Sequence, residues 1–260
     1  MSDQSQTRSS AQESTAPVNS APWWDERFAP GGAWETNGGR QQTRLFAEAL
    51  CRHIDLQRGE AFTLCDVGCA LGEALKVFKR QFPQAILFGI DFSSTAISRC
   101  KAENPGLAEF SVGSFESLSR QFDVIYASNI LEHFLDYEEK TRVLLAHCQR
   151  LLVMVPFREP LAGGSNGRSP GSQHQVSFTQ RSFEFLIAEG LARCVDSKVV
   201  SCPGAWGWTW KQKLKEEAKN LVRALLGRPT ADESLQIIFD ISPARTDGGD
   251  RAVPMRPSEE

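Results

Sequence analysis

The chain has 260 residues, of which 41% are hydrophobic and 23% are charged, a composition that fits one globular domain with a sizeable core. Its 29 basic and 32 acidic residues give a formal net charge of -3, so it lacks the general positive field of proteins that bind nucleic acid by counterion release. No apolar run approaches the roughly 18 residues that cross a bilayer, and the N-terminus lacks a signal-type apolar segment. We therefore expect a cytoplasmic protein with no membrane span and no nucleic-acid partner.

The seven cysteines are spread singly along the chain, at positions 51, 65, 69, 100, 148, 194 and 202. No CxxC pair occurs, and no histidine lies at a spacing typical of zinc ligands. Isolated cysteines of this kind usually serve as small buried apolar residues in a reducing compartment. The sequence thus predicts no metal site.

Both ends of the chain differ in composition from the middle. Residues 1–20 are rich in Ser, Gln and Ala with few large apolar side chains, so we expect a disordered tail. Residues 243–260 mix Gly, Pro, Arg and acidic residues and predict a flexible C-terminal tail. The intervening residues, 21–242, are predicted to form the folded domain, with a helical insertion and lid at 205–230.

Within this domain, short β-rich runs alternate with segments of helical periodicity, a pattern typical of βαβ units. The strands are predicted at residues 62–66, 85–90, 108–112, 122–128, 151–155, 195–200 and 235–241. Ser93 or Ser94 is expected to cap a helix, and further helices are predicted near 71–82, 138–149, 179–189 and 210–226. The predicted architecture is α/β, a doubly wound sheet of seven mainly parallel strands.

The most informative segment runs from Leu64 to Glu73, where an apolar strand ends in Asp66 and turns through Gly68 and Gly72 into a helix. Glycine permits positive φ and a close approach between backbone and ligand. A second acidic residue, Asp91, ends the next strand, much as an acid holds the ribose hydroxyls in nucleoside-binding folds. Two acids at adjacent strand ends therefore indicate a ribose-bearing ligand.

These segments resemble the motifs of class I S-adenosylmethionine-dependent methyltransferases. Residues 66–72 (DVGCALG) are similar to the first motif and residues 89–93 (GIDFS) to the second. Residues 126–134 (YASNILEHF) resemble the fourth-strand segment of the branch that methylates small molecules, and the likeness extends from about Trp24 to Ile241. The resemblance implies a Rossmann-like transferase that uses S-adenosyl-L-methionine as cofactor and a small molecule as methyl acceptor.

The resemblance also implies roles for individual residues. The backbone around Gly68 would contact the methionine part of the cofactor, Asp91 the ribose hydroxyls and Phe92 the adenine. Many relatives have an acidic residue, which contacts the adenine amino group, where this chain has Ser114. Phe115, the next residue, is expected to cover the adenine ring. The full set of predicted cofactor residues is Arg40, Asp66, Gly68, Cys69, Ala70, Gly72, Asp91, Phe92, Ser114, Phe115 and Asn129.

Three residues are candidates for a general base, which oxygen acceptors need more than neutral amines do. Glu132 and His133 follow the fourth strand, where they either act on the acceptor or only orient the loop. His174 lies in a loop after the fifth strand and either faces the acceptor or packs that loop. The acceptor itself, the choice between O- and N-methylation and the oligomeric state are not specified by the sequence.

The six tryptophans form two clusters, one before the core at positions 23, 24 and 34, and one in the insertion at positions 206, 208 and 210. We expect them to contribute to a lid that excludes water from the cleft. Arg40 lies in the first of these segments and either meets the cofactor carboxylate or belongs to a solvated loop.

Two other functions are compatible with a sheet of this class. One is a binding or scaffold protein that keeps the fold without catalysis, since fold does not establish catalysis. A nicotinamide-dependent oxidoreductase is disfavoured, because the spacing between Gly68 and Gly72 lacks the G-x-G-x-x-G fingerprint.

Overall fold

The structure is a computed structural model that describes residues 16–56, 61–159, 173–203 and 233–244, together with residues 215, 218–219, 221–222 and 225. Within these ranges the chain forms seven strands, each close to a position that the sequence predicts. They are β1 (Thr63–Val67), β2 (Ile86–Asp91), β3 (Glu109–Val112), β4 (Phe122–Ser128), β5 (Cys148–Pro156), β6 (Ala192–Pro203) and β7 (Glu233–Pro243).

The α-helices of the described part precede or connect these strands. They are α1 (Ala21–Phe28), α2 (Ala33–Thr36), α3 (Gly39–His53), α4 (Glu73–Gln81), α5 (Ser94–Glu103), α6 (Tyr137–Ala146) and α7 (Phe185–Ala188). Two short 3-10 turns, Phe115–Ser117 and Leu131–His133, follow β3 and β4.

The strands form one sheet in the order β3-β2-β1-β4-β5-β7-β6, in which β7 runs antiparallel to both of its neighbours. The other pairs are parallel, which confirms the predicted doubly wound, mainly parallel sheet. Val67 at the end of β1 pairs with Ile90 of β2 on one side and with Ala127 of β4 on the other. The strand order reverses at β1, and ligands of such sheets bind at the carboxyl ends beside this reversal.

Alternate residues of each central strand point to opposite faces of the sheet, and here the residues on both faces are apolar. Both faces are therefore covered by helices. Leu64 packs in a buried cluster with Phe46 of α3 and Phe78 of α4. The next residue, Cys65, belongs to a second cluster, which contains Leu144 of α6. The two clusters fix the sheet between helical layers and hold its carboxyl edge in position.

The helix predicted at 179–189 is shorter than expected. Only Phe185–Ala188 is α-helical, and the preceding residues form turns. The backbone N–H groups of Ser182, Glu184 and Leu186 each donate to the carbonyl oxygen three residues earlier, so this part of the predicted helix is wound more tightly than an α-helix.

Helix α1 is fastened to the start of α5. Ser93 caps α5 as predicted, its hydroxyl accepting from the N–H of Ala96 at 3.0 Å. The carboxylate of Asp25 in α1 accepts from Ser93 Oγ at 2.5 Å and from the N–H of Thr95 at 2.9 Å. These bonds hold the N-terminal tryptophans over the carboxyl edge of the sheet.

Several predictions fall on residues outside the described ranges. Residues 1–15 and 245–260 of the predicted tails lie there, as do Trp206, Trp208 and Trp210 of the predicted lid. The described positions of the predicted helix at 210–226 are helical, with Leu221 and Leu225 exposed. Within the described residues, no helix has the length and apolar character needed to cross a bilayer.

Candidate functional site

A cavity of about 230 Å³ opens at the carboxyl ends of β1, β2 and β4, beside the reversal of strand order. Eight of the predicted site residues line this cavity. They are Asp66, Gly68, Ala70, Asp91, Phe92, Asn129, His133 and His174. The topology thus brings together side chains and backbone from three strand ends and from the loop after β5.

The turn after β1 requires glycine at position 68. Gly68 has φ +79°, and a Cβ added there would lie 2.4 Å from Ile130 Cγ2. Its backbone N–H donates to the carbonyl oxygen of Ile90 at 2.7 Å, so the turn is bound to the neighbouring strand. The bare backbone of this turn forms one wall of the cavity.

Asp91 is buried, and both of its carboxylate oxygens accept hydrogen bonds from backbone. Oδ2 accepts from the N–H of Ala70 and Oδ1 from that of Ser93, each at 2.9 Å. Burial raises the pKa of Asp91 to about 6, although the two hydrogen bonds act in the opposite direction. Each carboxylate oxygen has a second lone pair, so Asp91 retains acceptor capacity toward the cavity that it lines.

Asp66 lies beside it with an unsatisfied oxygen. The residue is 2% exposed, and its Oδ2 has no hydrogen-bond partner in the described part of the chain. Burial and then repulsion from Asp91 raise the pKa of Asp66 to about 8. A buried acceptor of this kind fits a ligand that brings a hydrogen-bond donor or a positive charge into the cavity.

Phe92 lines the cavity and packs against the aromatic cluster of α1. The other two residues predicted near the adenine, Ser114 and Phe115, are not brought to the described cavity. Ser114 Oγ donates to Glu116 at 2.6 Å, and Phe115 is buried against Phe134, with ring centroids 5.3 Å apart.

Two further residues of the first motif, Cys69 and Gly72, do not line the cavity but have structural positions near it. The side chain of Cys69 is fully buried in the core. Gly72 has φ +78° and stands at the N-cap of α4, where a left-handed conformation favours glycine. Both positions shape the turn that carries Gly68 and Ala70.

Arg40 does not meet the cavity, in contrast to the expectation from sequence. Its guanidinium pairs with three carboxylates: with Glu35 at 2.9 Å, Glu73 at 2.7 Å and Glu103 at 2.7 Å. These acids belong to α2, α4 and α5, so Arg40 ties the helices together instead of facing a ligand.

Arg27 of α1 lines the cavity, and the sequence analysis gave it no role. Its guanidinium carbon lies 4.4 Å from the ring centroid of Trp23 and 5.6 Å from that of Trp24. Its buried Nε has no hydrogen-bond partner, and the described residues include no carboxylate paired with it. Burial lowers the pKa of Arg27, as expected for a desolvated cation without a counter-charge. The WDERF segment contains this arginine, but sequence spacing does not distinguish it from Arg40.

Asn129 continues the cavity wall at the end of β4. It has φ +53°, a conformation that asparagine tolerates better than most residues. Its side-chain amide donates to Ser128 Oγ at 3.2 Å, and its backbone N–H donates to the carbonyl oxygen of Met154 at 2.8 Å. The left-handed backbone at Asn129 changes the chain direction before the 3-10 turn at Leu131–His133. The loop that carries His174 is hydrogen-bonded to this turn.

The three candidate bases meet at this end of the cavity. The ring centroids of His133 and His174 are 5.0 Å apart, and Glu132 is fully buried beside them. His133 Nδ1 bonds the carbonyl oxygen of Gln173 at 2.9 Å, and His174 Nδ1 pairs with the carboxylate of Glu159. The loop after β5 is therefore attached to the turn after β4.

These surroundings shift the three side chains differently. Burial lowers the pKa of His133 to about 4, with the Gln173 carbonyl acting in the opposite direction. Burial also lowers the pKa of His174, but Glu159 and Glu132 outweigh this effect, so that pKa is raised. Burial raises the pKa of Glu132 to about 8. Of the two histidines, His174 is the stronger base.

The N-terminal tryptophans cover the same end of the cavity. Trp24 and Trp34 line it, and the Trp24 ring lies 5.6 Å from that of His133 in an edge-to-face arrangement. Trp23 is buried against Trp24. This half of the predicted aromatic lid is in contact with the site.

Comparison with known proteins finds similarity to methyltransferases. Residues 65–153 match a family model described as a methyltransferase domain. Trans-aconitate 2-methyltransferase of Deinococcus radiodurans is 30% identical over 94 residues, which are 35% of this chain and 36% of that protein. The chain thus covers about a third of the length of this curated relative.

Solved structures extend the likeness to the whole fold. A chain from a complex between the Haloferax volcanii Trm112 methyltransferase activator and a protein described as a methyltransferase has TM-score 0.59 at 13% identity, covering 88% of this chain and 100% of its own. The plantazolicin methyltransferase in complex with a pentazolic desmethylPZN analog and SAH has TM-score 0.50 at 21% identity, covering 81% and 87%. At these identities the likeness establishes a shared fold.

Proposed function

We propose that this chain is a class I S-adenosylmethionine-dependent methyltransferase, which transfers the methyl group of that cofactor to a small-molecule acceptor. The observation that carries the proposal is the pair of buried carboxyl groups, Asp66 and Asp91, at adjacent strand ends around the glycine turn. Both face a cavity that is also lined by the glycine turn, by aromatic side chains and by polar groups such as Arg27 and Asn129. Such a site suits a ligand with ribose hydroxyls, an aromatic ring and a cationic end.

The contacts of the described residues support a role for each part of the cofactor site. Asp91 would accept hydrogen bonds from the ribose hydroxyls, and Phe92 would pack on the adenine. The oxygen of Asp66 without a partner would accept from the ammonium group of the methionine part, next to the backbone of Gly68. Arg27, rather than Arg40, would meet the carboxylate, because Arg40 is already paired with three acids.

When bound, S-adenosylmethionine supplies a methyl group already activated on a sulfonium. The protein's task is then to align the acceptor and to exclude water. Trp24 and Trp34 suit the second purpose because they close the cavity over the histidine end. A base is needed only where the acceptor must lose a proton.

We assign the acceptor to the end of the cavity that His133 and His174 line. A concave cavity lined largely by aromatic side chains favours a small molecule, in keeping with the name of the Deinococcus relative, over a folded polymer. His174 rather than His133 is the residue that promotes deprotonation of the acceptor, since its ring is the more basic and is held by Glu159.

Calorimetric titration with S-adenosylmethionine, its demethylated product and NAD tests the cofactor assignment. We expect saturable binding of the first two and none of NAD. A methyl-release assay against fractionated metabolite pools then tests catalysis, with turnover expected in at least one fraction. Binding without turnover in any fraction would favour a scaffold, and binding of NAD alone would favour an oxidoreductase.

A further inference from the structure

We propose that Glu132, His133 and His174 form a binding site for one divalent transition-metal ion, with zinc the best match. One possible ligand atom from each residue lies within 4.8 Å of the others. The sequence predicts no metal site, because Glu132 and His133 are adjacent and His174 comes from a separate loop. The role of the ion at the acceptor rests on the proposed methyl transfer, although the site itself does not.

Glu132 is the first observation that calls for a ligand. Its side chain is fully buried on the 3-10 turn after β4, and neither carboxylate oxygen has a hydrogen-bond partner in the described part of the chain. A buried carboxyl group without partners is unfavourable whether it is charged or protonated. A cation bound to this carboxylate would remove the penalty.

The two histidines are held as metal-ligating histidines usually are. Such residues commonly donate one ring N–H to a backbone carbonyl or a carboxylate, which fixes the ring and leaves the other nitrogen to bind the metal. His133 Nδ1 bonds the Gln173 carbonyl at 2.9 Å, and the backbone of Asn129 is a further partner of the ring. A metal ion on Nε2 would use the lone pair that a neutral ring carries there when Nδ1 donates to Gln173. His174 Nδ1 pairs with the Glu159 carboxylate.

The backbone also fixes the spacing of the group. The carbonyl oxygen of Glu132 accepts from the N–H groups of Gln175 at 2.6 Å and Val176 at 3.1 Å. The residue preceding this pair, His174, is thereby pinned beside the Glu132 turn. Backbone hydrogen bonds therefore hold the three side chains of the cluster close together, although they come from two separate loops.

The donor set indicates which ion would bind. Two imidazoles and one carboxylate match the three-ligand pattern of catalytic zinc sites, in which a further position stays open to water or substrate. Magnesium and calcium prefer oxygen ligands throughout. Since both histidines line the cavity, an ion here borders the acceptor's space and would lower the pKa of a hydroxyl bound to it. The acceptor class that fits is an oxygen nucleophile. With the ion bound, the ion would promote its deprotonation, and His174 would contribute by holding the ion.

Titration of the chelator-stripped full-length protein with zinc, against a chromophoric competitor, tests the site. We expect one zinc per chain, and at least a roughly hundredfold loss of affinity in Glu132→Gln and in His174→Ala. His53→Ala is the matched control, because His53 is exposed at the end of α3, and its zinc affinity should equal that of the wild type. Cobalt substitution should give visible d–d bands without a thiolate charge-transfer band, which separates this site from the cysteines.

The proposal is overturned if the stripped protein binds no zinc, if His174→Ala binds it as tightly as the wild type, or if the cobalt spectrum shows thiolate ligation. His174 is only partly buried, so its variant decides the matter even where Glu132→Gln fails to fold. A parallel titration of metal-free protein with S-adenosylhomocysteine keeps the two proposals apart. Retained binding of that product without zinc binding removes only the metal site, whereas zinc binding without it removes only the methyl transfer.

Discussion

The carboxylate of Asp91 accepts a hydrogen bond from the backbone N–H of Ala70 at 2.9 Å. The residue that ends β2 therefore holds the turn that follows β1, and the two sequence motifs form one structural unit. The same carboxylate also binds the N–H of Ser93 at the start of α5. Occupation of the site by a nucleoside would add to contacts that already exist in the free protein.

Asp91→Asn should weaken cofactor binding without unfolding the protein. The amide removes the negative charge and one acceptor, so either the Ala70 N–H or a ribose hydroxyl loses its partner. Loss of a hydrogen bond to a charged group corresponds to a decrease in affinity of about 10- to 100-fold. Calorimetry with S-adenosylhomocysteine measures the change in affinity. Asp136→Asn is the control, because Asp136 is an exposed acid at the start of α6. Unchanged affinity in Asp91→Asn would remove this residue from the site.

Asp66→Asn should stabilise the free protein at neutral and alkaline pH. The pKa of Asp66 is about 8 in the folded chain against an ordinary value of 3.8, so the folded state retains a proton that the unfolded state releases. Stability from this group is present at low pH and is lost as pH rises toward 8, at up to about 1.4 kcal/mol per pH unit. Asparagine does not titrate and removes this loss.

The comparison requires urea unfolding of wild type and Asp66→Asn near pH 5 and near pH 8. We expect the advantage of the variant to grow between the two conditions, while its affinity for S-adenosylmethionine falls. An advantage that is the same at both pH values would show that Asp66 does not titrate in this range.

Gly68→Ala should destabilise the protein more than Gly106→Ala does. Both glycines have positive φ, +79° and +74°, but a Cβ at Gly68 lies 2.4 Å from Ile130 Cγ2, whereas one at Gly106 meets nothing within 4 Å. The left-handed conformation alone costs roughly 1–2 kcal/mol, and overpacking adds about 1–3 kcal/mol at Gly68. Denaturant unfolding measures the loss of stability in each variant. Adding Ile130→Ala to Gly68→Ala should recover the overpacking cost but not the cost of the left-handed conformation. Equal losses of stability in the two variants would mean that the turn at Gly68 rearranges to accommodate a Cβ without a clash.

Arg27→Ala and Arg40→Ala should have opposite effects on binding and stability. Arg27 has no carboxylate partner in the described structure, so its loss should weaken binding of S-adenosylhomocysteine about 10-fold or more and leave 5′-methylthioadenosine, which lacks the amino acid part, unaffected. Arg40 joins α3 to three other helices through partly exposed ion pairs, so its loss should reduce stability by about 1 kcal/mol and leave affinity within about twofold. Loss of binding in Arg40→Ala alone would restore the role expected from sequence.

The sequence predicts the strands well because each is a short apolar run bounded by turn residues. The acids at the ends of β1 and β2 could be assigned to one ligand because parallel strands bring their carboxyl ends to the same edge. The residues that sequence reasoning missed depend on contacts between distant segments. Arg27 and Arg40 are alike in sequence, and only the position of Glu73 and Glu103 beside Arg40 distinguishes them.

The histidine end illustrates the same limit. His133 and His174 were identified singly as candidate bases, but their proximity depends on the backbone bonds between Glu132 and residues 175–176. Part of the helix predicted at 179–189 is also wound more tightly than an α-helix, through backbone bonds such as the one from Ser182 to Thr179 that periodicity does not reveal. Both features arise from loop conformation rather than from apolar pattern.

The most direct test of the cofactor site is calorimetric titration of the folded full-length protein with S-adenosylhomocysteine, compared with Asp91→Asn under the same conditions. We expect one binding event per chain in the wild type and a decrease in affinity of about 10- to 100-fold in the variant. A folded wild-type protein that gives no binding heat and no thermal stabilisation with this ligand would contradict the assignment of Asp66, Gly68 and Asp91 to the cofactor.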